Sequence, residues 1–269
     1  MQEIFLGIDG CKAGWAVVEI RCNSSAESWH FYILSKIKEL LDKYSFPLIK
    51  SPEANRNTIN PIKTKKQSEA SLILIDIPIG LKESGPEERK CDILARKLLG
   101  PKRGSSVFRV PVRSTVYFEE SYEQASLINY NLTGKKISKQ TWHICKKIRE
   151  VDELITITKL KSISASIIHE SHPEAAFKSL KNTPLLYSKK SKEGLNERIN
   201  IIRTYSNLID TFLDGVYKKF KKSEVQPDDI LDAAALAISA KKIYKTGKII
   251  KLPEENEFDS RKLRMEIVF

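Results

Sequence analysis

"SLILIDIPIG", residues 71–80, decides the fold. Leu72 to Ile75 form an unbroken run of apolar β-formers that ends on Asp76, with Ile77 and Pro78 directly behind. A strand with one wet face alternates apolar and polar residues. A run that is apolar on both sides belongs to a strand covered on both faces, inside a parallel sheet. The chain does this once before, in "IFLGIDGCKAGW" (4–15), which is apolar up to Asp9. Two interior strands that each end on one carboxylate need a shared reason, because an ionised Asp is costly to bury without partners.

Outward from these two stretches, "WAVVEIR" (15–21) and "WHFYIL" (29–34) read as strands joined by a turn-like "CNSSAES", and "KIKELLDKY" (36–44) has helical spacing. Residues 45–70 are rich in Pro, Asn and Lys without a period and predict a long loop or insertion. After Asp76 the pattern turns helical. Helices are expected over 87–100, with Ile93, Leu94 and Leu98 on the stripe, and over 119–132 and 138–158. "SASIIHE" (164–170) returns to strand, and Pro173 opens a helix, where a missing N–H costs nothing. Residues 193–221 predict one helical stretch and 227–247 another, with Gly247 as its stop. "RMEIVF" closes the chain as a short strand. The order predicts an α/β fold, one domain over 1–269, with a helical insertion or lid at about 84–160.

The chain of 269 residues carries a net charge of +12, which predicts attraction to an anionic partner unless it is only a solvated lysine-rich surface. Cys11, Cys22, Cys91 and Cys145 have no CxxC spacing, which argues against a zinc ribbon. The N-terminus lacks a secretory pattern and no apolar run reaches the ~20 residues of a membrane span. A cytoplasmic location with reduced thiols is the expectation.

Asp9 and Asp76 are joined by two further acids. Glu170 closes the strand "SIIHE", and Asp232 lies in "DDILDAAALA", where alanines would let a helix approach the sheet closely. Asp229 shares a helix face with Asp232. Hard divalent cations take oxygen ligands, and a strand holds its ligand rigidly. Asp9, Asp76, Glu170, Asp229 and Asp232 are therefore the candidate ligands of two Mg²⁺ or Mn²⁺ ions, with Asp9, Asp76, Glu170 and Asp232 as the catalytic set. Each has a plainer explanation as well. Asp9 before Gly10 suits an Asx-turn, Asp228 and Asp229 suit N-caps, and Asp232 suits a lysine partner. His169 reads as a core histidine; His172 stays open between core and site.

Residues 89–113 hold eight basic side chains against Asp92 alone. "GPKRGSSVFRVPVR" adds glycines and serines whose N–H and OH groups suit phosphate oxygens. Lys102, Arg103, Arg109 and Arg113, with Lys12 from the first turn, are the expected phosphate contacts.

The blocks "GIDGCKAGWAVV", "LILIDIPIGL", "CDILARKLLGPKRGSSVFRVPVR", "TGKKISKQTWHICKKIREVDE", "HESHPEAAFKSL" and "DDILDAAALAISA" resemble, in this order, an uncharacterised microbial family, domain of unknown function 429. That family is usually described as predicted nucleases of ribonuclease H-like fold. The resemblance implies a mixed five-stranded sheet flanked by helices, its first three strands antiparallel. It also implies a carboxylate cluster of Asp9, Asp76, Glu170 and Asp232. The expected function is metal-dependent hydrolysis of phosphodiester bonds in nucleic acid, DNA or RNA. Two other readings compete: an actin-like or sugar-kinase-type nucleotide-phosphate hydrolase, and a non-catalytic nucleic-acid-binding module.

Overall fold

The computed structural model of the protein describes residues 2–45, 68–157 and 167–269. Five strands form a mixed sheet in the order β3-β2-β1-β4-β5: β1 (Glu3–Cys11), β2 (Gly14–Cys22), β3 (Glu27–Leu34), β4 (Leu72–Ile75) and β5 (Ile168–Glu170). The first three run antiparallel, while β4 lies parallel to β1 and β5 parallel to β4. The α/β class and the mixed sheet agree with the sequence. The expected loop over 45–70 and the first residues of the strand expected over 164–170 fall mostly outside the described residues.

The helices are α1 (Leu40–Lys43), α2 (Lys90–Leu99), α3 (Arg113–Tyr117), α4 (Tyr122–Thr133), α5 (Lys139–Ile157), α6 (Pro173–Lys181), α7 (Lys192–Arg203), α8 (Ile209–Lys219) and α9 (Pro227–Thr246). Among the described residues, no helix is long and apolar enough to cross a membrane.

Side-chain alternation along the strands divides the core in two. Ile4, Leu6 and Ile8 of β1, with Ile73 and Ile75 of β4, face Cys145, Ile148 and Val151 of α5. Phe5 of β1, with Leu72 and Leu74 of β4, faces the alanine-rich side of α9 together with α2 and α6. The helices between β4 and β5 therefore complete both layers of the domain: α5 covers one face and α2 lies on the other. Sequence periodicity marks them as helices but does not say which core they join. On α2 the buried side is Cys91, Asp92, Ala95 and Leu99, and Ile93 is exposed.

The stretch read as one helix over 193–221 is two. Helix α7 ends at Thr204, whose hydroxyl donates back to the Ile201 carbonyl, and the Ser206 hydroxyl accepts from the Leu208 amide before α8 begins. Short polar side chains compete for backbone partners in this way and interrupt helices. At the other end of the chain, Ile267–Val268 pairs with Lys251–Leu252 as a short antiparallel ribbon.

Helix α9 makes the closest approach to the sheet. It begins with Pro227 at its first position and a capping box between Gln226 and Asp229, whose carboxylate accepts the Gln226 amide at 3.0 Å. It stops at Gly247 in the left-handed conformation, φ 65°. Ala233, Ala234, Ala235 and Ala237 are fully buried. Opposite them stands Gly7 of β1; a methyl there would overlap the Ala233 carbonyl oxygen and the Ala237 amide nitrogen. Backbone thus rests on backbone, and this seam sets where Asp232 meets the sheet.

Candidate active site

The register of β1 against β4 carries the site. Ile8 pairs with Ile75, and the Asp76 amide donates to the Ile8 carbonyl at 2.9 Å, so Asp9 and Asp76 follow side by side. Two positions beyond Gly7, Asp9 points to the same face, toward α9. It does not terminate its strand, as the sequence suggested: β1 continues to Cys11 in the hairpin with β2, while β4 stops at Ile75. Asp9 accepts the amide of the next residue, Gly10, at 2.7 Å; the expected Asx-turn would take the amide two residues on, and the strand runs through this position instead.

The Asp9 and Asp76 side chains interact directly at the ends of the neighbouring strands. Burial raises the Asp9 carboxyl well above its ordinary range, and Asp76 and Asp232 raise it further. Burial likewise pushes Asp76 up to about 7, with Lys189 opposing and Asp232 adding to the rise. Asp232, buried on the first turns of α9, lies 2.6 Å from the Lys189 ammonium. Asp229 is also raised, by burial first, and lines the same cleft.

Glu170 lines the same cleft but is held differently. In β5 it pairs with Ile75, one residue short of Asp76. Its oxygens are taken by the Arg89 guanidinium at 2.6 and 2.9 Å and by the Ile79 amide at 2.7 Å. Arg89 is itself buried and also bridges Asp92 at 2.6 Å. Glu170 touches the cleft wall but is committed to this ion-pair triad. Burial raises it to about 7, with Arg89 pulling against the rise. Among the described residues, no three His, Cys, Asp or Glu side chains stand together in an arrangement that holds a metal ion.

The expected phosphate contacts lie elsewhere. Arg113 is buried and holds Asp152 and Asp259 at 2.5 Å each and Glu83 at 2.8 Å, tying α3 to α5 and the C-terminal segment. Arg109 donates to the Pro86 carbonyl at 2.6 Å and lies 3.6 Å from Glu88. Arg103 donates to the Tyr187 carbonyl and approaches Glu174 at 3.8 Å. Lys12 and Lys102 are exposed, and none of these five lines the acidic cleft.

The cleft has a volume of about 320 Å³ and three other basic residues reach it: Arg89, Lys147 and Lys189. Lys147, from α5, lies 4.5 Å over the Trp15 ring, donates to the Gly14 carbonyl, and lays its stem where Gly10 has no side chain. Phe108, Val110 and Ile144 form an apolar wall, and Gln140 and Ser106 stand at the rim. His172, at the start of α6, approaches the Ser106 hydroxyl at 3.3 Å through Nε2, while its buried Nδ1 has no partner. Burial lowers its pKa and favours the neutral ring. His169, by contrast, is a core histidine paired with Glu266 at 3.1 Å, as the sequence suggested.

Sequence reasoning did not single out Lys189. It sits in "LLYSKKSKEG", a loop with no period, in a lysine-rich chain. Asp232 alone offered a signal, since a carboxylate on so apolar a helix face needs a partner. All four cysteines are free and buried.

A family model described as a protein of unknown function (DUF429) matches residues 7–257. No curated protein and no solved structure matches the chain.

Proposed function

Because the chain belongs to the DUF429 family, whose function is unknown, we propose from the cleft itself that it is a metal-dependent phosphodiesterase acting on nucleic acid. The observation that carries this reading is the Asp9–Asp76 pair: two buried carboxyls on adjacent parallel strands, each raised by burial and by the charge of Asp232 on the neighbouring α9. Such an arrangement stores repulsion that a divalent cation relieves. A mixed five-stranded sheet with its first three strands antiparallel is what the resemblance to predicted nucleases implied, and its presence supports the same reading.

The donors suit Mg²⁺ or Mn²⁺, being hard carboxylate oxygens on rigid strands. Asp9 and Asp76 would hold the ion, with Asp232 next to them; bound there, it supplies Lewis acidity toward a phosphoryl oxygen and a more acidic water. The chain's own groups do the rest. Lys147 and Lys189 place positive charge on either side of a phosphate. Neutral His172 offers a free ring nitrogen to orient a water or a phosphate oxygen. Phe108, Val110 and Ile144 keep bulk water from the reacting centre. The net charge of +12 favours a polyanionic substrate.

One observation favours a second reading, a nucleic-acid-binding module without catalysis: Lys189 already neutralises Asp232. Single- and double-stranded DNA and RNA, incubated with Mg²⁺ or Mn²⁺ and with EDTA, separate the two. Metal-dependent cleavage that Asp9→Asn and Asp76→Asn abolish, with oligonucleotide binding retained, supports the phosphodiesterase. Binding with a steep salt slope and no turnover by any form supports the module.

A further inference from the structure

Lys189 stands at the acidic cleft as a built fixture. Its ammonium is 2.6 Å from one oxygen of Asp232 and 3.6 Å from Asp228, and the neighbouring Lys190 takes Asp228 at 2.7 Å. The backbone before it is anchored: the Leu186 and Tyr187 amides donate to the Glu197 carboxylate at 3.0 to 3.1 Å, and the Tyr187 carbonyl accepts from Arg103. The backbone after it is anchored too. The Ser191 amide donates to the Ser188 carbonyl at 3.0 Å, and the Ser191 hydroxyl caps α7 through the Gly194 amide at 3.0 Å. Gly194 lies so close to the Ser188 carbonyl that a methyl at its Cα would collide with it. A loop pinned on both sides leaves the lysine little choice of direction.

The geometry points to Lys189 as the second cation of the site: one divalent ion binds at Asp9 and Asp76, and the lysine ammonium occupies the place a second ion would take on Asp232. This deepens the phosphodiesterase reading and rests on its premise that the acids bind metal. An ion on Asp232 would sit ~2.1 Å from a carboxylate oxygen. The ammonium is already at contact with that carboxylate, so ion and lysine exclude one another there by charge and by space. Among the described residues no cation stands in ion-pair contact with Asp9 or Asp76, although the Lys189 charge reaches both. The ammonium offers N–H donors and a fixed positive charge to a phosphoryl or leaving oxygen, and it keeps its proton in doing so.

Calorimetric titration of the metal-free chain with Mn²⁺ alone tests this. One ion per wild-type chain, and two per Lys189→Ala chain, is the expected result. Lys189→Arg and Lys190→Ala should both stay at one. Two ions in the wild type, or one ion in both wild type and Lys189→Ala, overturns the assignment while leaving the metal site standing. No Mn²⁺ uptake by either form removes the metal reading, and this inference with it. Should Lys189→Ala not fold, Lys189→Gln keeps the side-chain volume and answers the same question.

Discussion

The Lys189 ammonium lies 2.6 Å from the Asp232 carboxylate across 43 positions of sequence. Asp232 thereby has a full counter-charge at contact, whereas the strongest charged neighbours of Asp9 are Asp76 and Asp232, both of its own sign. The carboxylates of the cleft are thus unequal: Asp232 holds the lysine at contact, Asp76 feels that cation against the charge of Asp232, and Asp9 is pressed most by acids. The chain's response to pH, to metal and to substitution follows from that inequality.

Stability without metal should fall as pH rises. Asp76 is raised from 3.8 to about 7, so between those values the folded chain binds more protons than the unfolded one. Its contribution is complete below about pH 4 and lost by about pH 7, the reverse of a salt-bridged acid. In EDTA the unfolding midpoint should drop by about 3 °C or more between pH 5 and pH 8, and saturating Mg²⁺ should flatten the slope. A midpoint that rises over this window in EDTA would show that the acid pair is not in conflict.

Asp76→Asn should stabilise the metal-free chain and, on the proposed reading, also abolish Mg²⁺-dependent cleavage. The amide can donate to Asp9 and carries no second charge. An increase of ~1–2 kcal/mol in urea unfolding at pH 8 is expected, with no Mg²⁺-dependent gain in midpoint. Loss of stability in EDTA would argue for a structural role instead.

Arg89→Met should cost ~3–5 kcal/mol, because it leaves Glu170 and Asp92 buried without their partner. Arg89→Met combined with Glu170→Gln should recover part of that loss, a coupling that a double-mutant cycle measures directly.

Arg113→Ala should destabilise the chain by a similar amount yet leave oligonucleotide affinity and its salt slope unchanged, since Arg113 serves Asp152, Asp259 and Glu83. Lys147→Gln should do the opposite, with near-wild-type unfolding and a salt slope shallower by about one.

Gly7→Ala should cost about 3 kcal/mol, because the added methyl meets backbone of α9 that cannot yield without moving the helix. The same variant should weaken Mn²⁺ binding in calorimetry, because the displaced segment of β1 carries Asp9 out of line with Asp76. A folded variant with unchanged affinity would show that the seam does not position the acids.

What the sequence made legible was local. The apolar runs before Asp9 and Asp76, and the alanines around Asp232, announce buried strands and a close-packed helix from their own neighbours. Those three acids do meet. Glu170 lines the cleft with Asp9 and Asp76, but its commitment to Arg89 was not legible, because nothing in "SIIHE" states the register of β5 or points to an arginine 81 positions away. Arg113 was misread because an arginine in a loop looks the same whether water or Asp259, 146 positions away, receives it. The division of 193–221 at Thr204 was missed because a hydrophobic stripe continues across it in sequence while Ser206 redirects the backbone.

The contact of Gly7 with α9 fixes more than a packing distance. With main chain touching main chain, β1 has no soft side chain there through which to shift, so Asp9, two positions on, keeps its place beside Asp76. An ion held by these two acids would meet oxygens on a stiff frame, which suits the ~2.1 Å bonds of Mg²⁺ or Mn²⁺ better than the longer, more numerous ones of Ca²⁺ at ~2.4 Å.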